Sequence, residues 1–262
     1  MGMLRGTGRA SLASIFPRCT DPVEASSSAY DQPVVEKPRS TDTERLYASL
    51  HAELLNGGFS PGCKLKTTGI AARYEISLSV VREALIRLVA DGLVRAVPQR
   101  GFCVAPLSPE DLLDLTQSRV LIETATLRRA IDTGDLAWES AVLAAHHALR
   151  ETPRTSSNGE FLDTWAQAHD AFHRALLTGA RSPRLESLAT KLRNLSRFYH
   201  HGFLPNAAAF DVSAEDGTIA ELAVARDSIG AVQALKDHLE RDTAVLLATG
   251  MPKKTGPTLE QS

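Results

Sequence analysis

Apolar residues recur with a helical period between residues 77 and 91, and the pattern changes to short runs with β propensity directly afterwards. The i, i+3, i+4, i+7 spacing of one buried helix face is carried by Val81, Ala84, Leu85 and Leu88. Residues 93–97 and 102–104 are predicted as two strands joined by a Pro-Gln-Arg-Gly turn with a basic tip. The stretch therefore predicts a helix followed by a β-hairpin.

Two further helices are predicted upstream of this stretch. Residues 43–55 place leucines at four-residue steps before an Asn-Gly-Gly stop, and residues 67–74 form a shorter apolar segment. Three helices and a β-hairpin in this order are typical of a winged helix-turn-helix, whose second paired helix lies in the DNA major groove. We therefore expect a DNA-binding module with a small β-ribbon wing.

The remaining chain, residues 108–250, has helical periodicity and no strand pattern. Helices are predicted at about 108–132, 136–150, 159–178, 182–201, 214–226 and 228–249. Their short connections favour antiparallel packing of neighbours. The predicted fold class is mainly α: an N-terminal winged helix-turn-helix with a small β-ribbon wing, followed by an all-α antiparallel helical bundle of about six helices.

Length and composition are those of an ordinary globular protein with two domains, since 262 residues are 43% hydrophobic and 23% charged. We divide the chain into a disordered leader (1–40), a winged helix domain (41–106), an all-helical effector-binding and dimerisation domain (107–249) and a flexible tail (250–262). No apolar run approaches the length of a membrane span. Three cysteines without metal-ligand spacing favour a reducing, cytoplasmic location.

The net charge of −2 is unevenly distributed. Residues 41–106 hold eight Lys or Arg against six Asp or Glu, whereas residues 107–249 hold fourteen against twenty. The positive excess thus lies on the predicted DNA-binding module, where phosphates are neutralised by Lys and Arg. Because so small an excess binds DNA weakly, we expect a homodimer that uses two such modules.

A series of motifs in residues 43–106 comprises Pro61-Gly62, Leu65, Ile70-Ala71, Ser77, residues 81–85, Leu88, residues 91–94 and Arg100-Gly101. This series resembles the N-terminal signature of the GntR family of bacterial transcriptional regulators. The resemblance implies DNA contacts at Thr68, Arg73, Ser77, Leu78, Ser79, Val80, Arg82, Gln99, Arg100 and Gly101. Leu78 and Thr68 stand where the family commonly has Arg, the residue that makes bidentate contacts to guanine. We therefore expect an operator that differs from the family's usual one, with Leu78 against a thymine methyl group.

Two histidines in the predicted bundle form a candidate ligand pair. His169 and His173 lie four residues apart, so both imidazoles can face the bundle interior and hold one divalent ion from the same side. A histidine pair on one helix face is also typical of a hydrogen-bonded core pair. From the spacing alone both interpretations stay open.

Residues 169–177, 214–227 and 234–242 resemble the FadR C-terminal effector domain, an all-helical module fused to one GntR subfamily. The resemblance implies a metal site made of His169, His173, Asp216 and His238, in which Asp and His have changed places relative to the family. Three imidazoles and one carboxylate suit zinc or nickel. The neighbouring Asp170 is an alternative source of the carboxylate.

Arg119 and Glu123 lie one helical turn apart, which predicts an intrahelical ion pair on a solvated or dimer-facing side. The resemblance implies another role for Arg119, contact with an acidic effector. Together the resemblances imply a repressor or activator, not an enzyme, that binds a double-stranded DNA operator and a small carboxylate effector. Two alternatives are a metal-dependent hydrolase or lyase, with Asp170 or Glu215 as general base, and a bundle that only mediates dimerisation.

Overall fold

The structure is a computed structural model that describes residues 41–158, 162–203 and 213–248. The N-terminal elements are α1 (Asp42–Leu55), β1 (Lys64–Leu65), α2 (Thr67–Tyr74), α3 (Leu78–Ala90), β2 (Val94–Val97) and β3 (Gly101–Val104). The bundle follows with α4 (Pro109–Thr133), α5 (Leu136–Glu151), α6 (Asp163–Thr178), α7 (Pro183–Phe203), α8 (Ser213–Val224) and α9 (Ser228–Ala248). The predicted mainly helical class is confirmed. The predicted leader and tail lie outside the described residues.

The predicted apolar stripe of α3 is fully buried, with no exposed area on Val81, Ala84, Leu85 or Leu88. Ser77 caps this helix, because its Oγ accepts a hydrogen bond from the Val80 N–H at 3.4 Å. The leucines of α1 and Val94, the first residue of β2, belong to the same buried core of the winged domain. The winged helix is therefore built as the period of the sequence predicts.

The three strands form one antiparallel sheet in the order β1-β3-β2. Val94 pairs with Val104 and Val97 with Gly101, and the turn between them closes when the Arg100 N–H donates to the Val97 carbonyl at 3.0 Å. The backbone of Gln99 has φ +60°, the conformation that follows proline in a type II turn. Strand β1 was not predicted, because two residues are too short to show a period of two.

The helices of the bundle lie close to their predicted ranges. α6 begins at Asp163 instead of 159, and residues 159–161 lie outside the described residues. α7 extends two residues beyond its predicted end, to Phe203. α8 ends at Val224, two residues early, and Arg226 just beyond it has a positive φ that no α-helix accommodates. No helix in the described part of the chain is long and apolar enough to cross a membrane.

Helix α4 packs chiefly along α9 and α7, and α5 packs along α6. The core between them is apolar and dominated by leucine and alanine, with Phe172, Leu127, Leu176, Leu235 and Leu239 fully or almost fully buried. The polar residues buried in this bundle are consequently exceptional. Three of them, His173, Asp216 and His238, belong to the candidate site.

Helix α7 contacts the winged domain with one face and the polar interior of the bundle with the other. Toward the winged domain, Phe198 is buried in its apolar core and the Asn194 Nδ2 lies 3.3 Å from the His51 Nε2. Toward the bundle, Ser196 accepts a hydrogen bond from Arg119 and the His200 Nε2 lies 2.7 Å from an Asp242 carboxylate oxygen. One helix thus contacts both parts of the fold.

Candidate metal centre and nucleic-acid interface

Four side chains predicted as metal ligands converge in the bundle. His169 and His173 come from α6, Asp216 from α8 and His238 from α9. One potential ligand atom from each of the four lies within 4.8 Å of the others. The Nε2 atoms of the two α6 histidines are 3.2 Å apart, and each lies 3.6 Å from a different oxygen of Asp216.

These separations fit a bound metal ion. Ligands about 2.0–2.1 Å from a tetrahedral zinc ion lie roughly 3.3–3.4 Å from one another. The distances of 3.2 and 3.6 Å among His169, His173 and Asp216 bracket that value, and all four ligand atoms lie within 4.8 Å of one another. The donor set of three imidazoles and one carboxylate is also one that zinc and nickel accept.

Asp216 is the residue of this cluster that a bound cation would stabilise most directly. The side chain has no exposed area, and neither carboxylate oxygen has a hydrogen-bond partner among the described residues. Burial raises the pKa of Asp216, although the neighbouring His169 and His238 oppose that shift. A buried carboxylate that accepts no hydrogen bond is strongly unfavourable. A divalent ion between Asp216 and the imidazoles would remove that cost.

His238 is held in the orientation that a metal ligand requires. Its Nδ1 lies 3.2 Å from the Glu215 Oε2, and Glu215 also forms an ion pair with Arg241. With Nδ1–H donating to Glu215, the lone pair of His238 Nε2 is free for an ion. A carboxylate that orients a ligating histidine in this way is a common feature of metal sites.

The two α6 histidines have protonation properties suited to metal binding. Burial lowers the pKa of His173 well below its ordinary value, and the imidazole of His238 lowers it further. Burial also lowers the pKa of His169, with Asp216 opposing the shift. Both rings are therefore neutral at pH 7, and a neutral imidazole has the lone pair that an ion needs.

Asp170 is not positioned to supply the carboxylate. Its Oδ1 accepts from the Arg193 Nε at 3.2 Å and its Oδ2 pairs with Arg174, so both oxygens are engaged outside the four-residue cluster. The arginines lower the pKa of Asp170 against the effect of burial. In this structure Asp170 therefore lies outside the four-residue cluster, whose carboxylate is that of Asp216.

Arg119 and Glu123 form the predicted ion pair, with Nε to Oε1 at 2.7 Å, but the predicted solvated or dimer-facing side is wrong. Both side chains are buried, 8% and 1% exposed, because α7 and α9 cover this face of α4. The Nη1 of Arg119 donates to the Ser196 Oγ at 2.9 Å. The four-residue spacing of Arg119 and Glu123 gave the wrong prediction of exposure, because charge pairs with this spacing usually lie on solvated helix faces.

Arg193 on α7 was missed by the sequence analysis. Its side chain is 5% exposed, and its Nη1 has no hydrogen-bond partner among the described residues. Arg193 and Arg119 both lower the pKa of His173, which places two buried guanidinium groups beside the cluster. A lone Arg in the polar-rich sequence of α7 gives no signal of burial.

The predicted DNA contacts are exposed on the winged domain. Leu78, at the first position of α3, is 41% exposed. The remaining predicted contact residues are also exposed, except for the half-buried Val80: Thr68, Arg73, Ser77, Ser79, Arg82, Gln99, Arg100 and Gly101. Arg82 and Arg100 form no ion pair with any described residue, so both positive charges are available to phosphate or base edges.

Arg73 is held by α1. Its two terminal nitrogens lie 2.8 and 3.0 Å from the two carboxylate oxygens of Glu53, in a bidentate ion pair. Glu53 also accepts from the Tyr74 hydroxyl at 2.7 Å. Arg73 remains 61% exposed but is fixed in direction. Sequence spacing could not show this partner, which lies twenty residues upstream.

Both parts of the chain match known protein families. Residues 42–104 match the bacterial regulatory proteins of the gntR family, and residues 114–241 match the FCD domain. The HTH-type transcriptional repressor GlaR of Escherichia coli is 32% identical over 198 residues, which is 74% of this chain and 90% of GlaR. The HTH-type transcriptional regulator BphR of Paraburkholderia xenovorans is 30% identical over 79% of this chain and 86% of BphR.

A crystal structure of a GntR transcriptional regulator from Rhodococcus sp. RHA1 has the same fold, with a TM-score of 0.66 and 28% identity over 80% of this chain and 99% of that one. These matches indicate a transcriptional regulator and exclude the alternative of a hydrolase or lyase. Glu215 and Asp170, the candidate bases of that alternative, are engaged by His238 and by arginines. The chain belongs to the GntR family of DNA-binding transcriptional regulators and carries an FCD effector domain.

Proposed function

We propose that this regulator is a homodimer whose bundle, residues 107–249, binds a divalent ion and through it a small carboxylate effector that controls operator binding by the winged domain, residues 41–106. The observation that carries the proposal is Asp216, a fully buried carboxylate with no hydrogen-bond partner among the described residues and three imidazoles around it. The ligands are His169, His173, Asp216 and His238. Zinc or nickel suits this donor set.

The charges beside the cluster favour an anionic effector only when the ion is bound. Arg119 and Arg193 are each paired with a carboxylate, while Asp216 and Asp242 add two negative charges near the imidazoles. A divalent cation offsets those two charges, and its open coordination positions accept a carboxylate. Arg119, with the unpartnered Nη1 of Arg193 as a second donor, then contributes positive charge to the same anion.

We propose that α7 transmits the state of the cluster to the winged domain. Arg193, Ser196 and His200 follow the i, i+3, i+7 spacing of one helix face and contact Asp170, Arg119 and Asp242. On the opposite side, Lys191, Asn194 and Phe198 contact Asp91, His51 and the winged core. An effector that displaces Arg119 or Arg193 therefore acts on a helix that also positions α1 and α3.

Operator binding by the dimer rests on the exposed residues of α2, α3 and the β2–β3 turn. The winged module has only a small positive excess, so two modules on one duplex are needed for tight binding. Arg82 and Arg100 supply charges that are not paired within the described chain. The effector strengthens operator binding if it binds more tightly to the dimer geometry that fits the operator, and weakens operator binding if it binds more tightly to another geometry.

Calorimetric titration of chelator-treated, full-length protein with Zn²⁺ and Ni²⁺ tests the metal site. One ion per chain is expected, with binding abolished in His173→Ala and His238→Ala. The matched control is His147→Ala, since His147 lies exposed on α5 and outside the cluster. Absence of binding to the wild-type protein, or equal binding by the His173 variant, would overturn the metal site.

Selection of bound duplexes from a random pool tests the DNA interface and the dimer. Enriched sequences should contain an inverted repeat, and the complex should contain two chains. Arg82→Ala and Arg100→Ala should each lower the number of ions released on binding by about one per chain, or about two per dimer. Arg181→Ala removes an exposed bundle charge that pairs with Asp135, and it should leave that number unchanged. Enrichment of no sequence, or of unrepeated sites bound by one chain, contradicts the proposal.

A further inference from the structure

His169 differs from the other three residues of the proposed metal site in its exposure. Its side chain is 26% exposed, whereas His173, Asp216 and His238 are at most 2% exposed. Its Nδ1 makes no hydrogen bond to any described residue. His238, by contrast, is fixed by Glu215. A partly exposed imidazole without such a partner loses more rotational freedom when it binds an ion.

The ring of His169 is instead held by an aromatic stack. Trp165 lies one helical turn earlier on α6, and its indole is nearly parallel to the imidazole, with ring centroids 4.9 Å apart and planes 14° apart. The Arg154 guanidinium lies 5.1 Å from the centre of the same indole. Trp165 also packs against the apolar core of the bundle. The indole is therefore anchored on several sides.

We propose that Trp165 is the positioning residue for His169. This inference rests on the proposed metal site. The stacked indole holds the imidazole plane so that Nε2 faces the His173 Nε2 at 3.2 Å and the Asp216 Oδ2 at 3.6 Å. Trp165 thus performs for His169, by stacking, the task that Glu215 performs for His238 by hydrogen bonding. It does not itself touch the ion.

The stack has a direct consequence for affinity. Loss of a residue that orients a metal ligand typically weakens binding 10- to 100-fold. Trp165→Leu should weaken Zn²⁺ binding by roughly that factor, because a branched aliphatic side chain cannot stack on imidazole. Trp165→Phe keeps an aromatic ring at the same position and should retain affinity within about threefold of wild type.

Trp138 provides the matched control. It is the other tryptophan of the chain, it is buried in the same bundle, and its indole N–H donates to the Ala175 carbonyl at 3.0 Å. Trp138→Phe should reduce stability without changing Zn²⁺ affinity. In that variant Trp165 is the sole tryptophan, so quenching of its fluorescence by Ni²⁺ reports directly on an ion next to the stack.

The experiment is calorimetric titration of the four full-length, chelator-treated proteins with Zn²⁺, together with Ni²⁺ quenching and urea unfolding. Strong quenching in Trp138→Phe, weak quenching in Trp165→Phe and weakened Zn²⁺ binding only in Trp165→Leu support the proposal. Should Trp165→Leu fail to fold, Trp165→Met replaces it, since methionine fills the space without an aromatic face.

Three results would overturn the inference. Trp165→Leu with wild-type affinity, Trp165→Phe as weak as Trp165→Leu, or Trp138→Phe as weak as Trp165→Leu would each show that stacking does not set the affinity. If wild-type protein binds no Zn²⁺ at all, the metal site itself fails. If wild type binds and only the Trp165 result is negative, the metal site stands and the positioning role falls.

Discussion

The Nη1 of Arg119 donates a hydrogen bond to the Ser196 Oγ at 2.9 Å, which joins α4 to α7 in the buried interior of the bundle. The Nε of the same guanidinium pairs with Glu123. Ser196 lies on α7 only two residues from Asn194 and Phe198, which contact the winged domain. A single hydrogen bond thus connects the residue proposed to meet the effector with the helix that carries the winged domain.

Ser196→Ala should lower the free energy of unfolding by about 1–3 kcal/mol, because it leaves a buried guanidinium donor without its acceptor. It should also reduce the change in hydrogen exchange that Zn²⁺ causes in α1 and the end of α3. Urea unfolding and hydrogen exchange with and without Zn²⁺ measure the two effects. Ser187→Ala, at an exposed position of the same helix, is the control and should change neither. A Ser196 variant that exchanges as wild type does would remove α7 from the coupling.

The Asp216 carboxylate should destabilise the metal-free protein and, at the same time, be needed for metal binding. In metal-free buffer Asp216→Asn should raise the free energy of unfolding by about 1–3 kcal/mol, since it removes a buried carboxylate that accepts no hydrogen bond from the described residues. At a hundredfold excess of Zn²⁺ over the dissociation constant, wild type should gain about 2.7 kcal/mol and the variant much less. Unfolding in urea with chelator and with Zn²⁺ gives both numbers. A variant less stable than wild type in chelator would show that Asp216 has a partner in the folded protein without metal.

The fold was largely predictable because its signals are local. The stripe from Val81 to Leu88 has one helical period, a serine cap and a glycine stop, and each of these lies within a few residues of the others. The hairpin after it is fixed by Pro98, Gln99 and Gly101. Strand β1 could not be predicted from local sequence, because it pairs with β3, nearly forty residues away. A strand of two residues is also too short to show alternation of apolar and polar residues.

The site was predictable only in part. The spacing of His169 and His173 indicated a shared helix face, but Asp216 and His238 come from helices whose approach depends on packing of the whole bundle. The burial of Arg119 depends likewise on α7 and α9 covering α4. Partners such as Glu215 for His238 are long-range pairs between side chains, and a single sequence contains no record of them.

His173 should make the metal-free protein sensitive to moderate acid. Its pKa in the fold lies well below 6.5 because of burial, whereas in the unfolded chain it is about 6.5, so the unfolded chain binds a proton first as pH falls. Protonation of His173 should not affect the free energy of unfolding above about pH 7.5. At pH 5.5 it should lower the free energy of unfolding by up to about 1.4 kcal/mol.

His173→Gln should remove that part of the acid sensitivity. Urea unfolding of metal-free wild type, His173→Gln and the exposed control His147→Gln at pH 7.5 and 5.5 measures it. The His147 variant should lose as much stability as wild type between the two pH values, and the His173 variant should lose less. An equal loss in all three proteins would mean that the His173 imidazole accepts a proton in the fold.

Leu78 should determine one base of the operator. It occupies the first position of α3 with 41% of its surface exposed, and leucine offers only apolar contact to a base edge, such as a thymine methyl group. Leu78→Arg introduces a side chain that binds the O6 and N7 of guanine together, a contact worth about 1–3 kcal/mol of discrimination. In duplexes selected from a random pool, the variant should enrich guanine at one position of each half-site where wild type does not.

Leu143→Arg adds the same charge at an exposed apolar position of α5 and should raise only the sequence-independent affinity. Identical pools for wild type and Leu78→Arg would place the start of α3 away from the base edges.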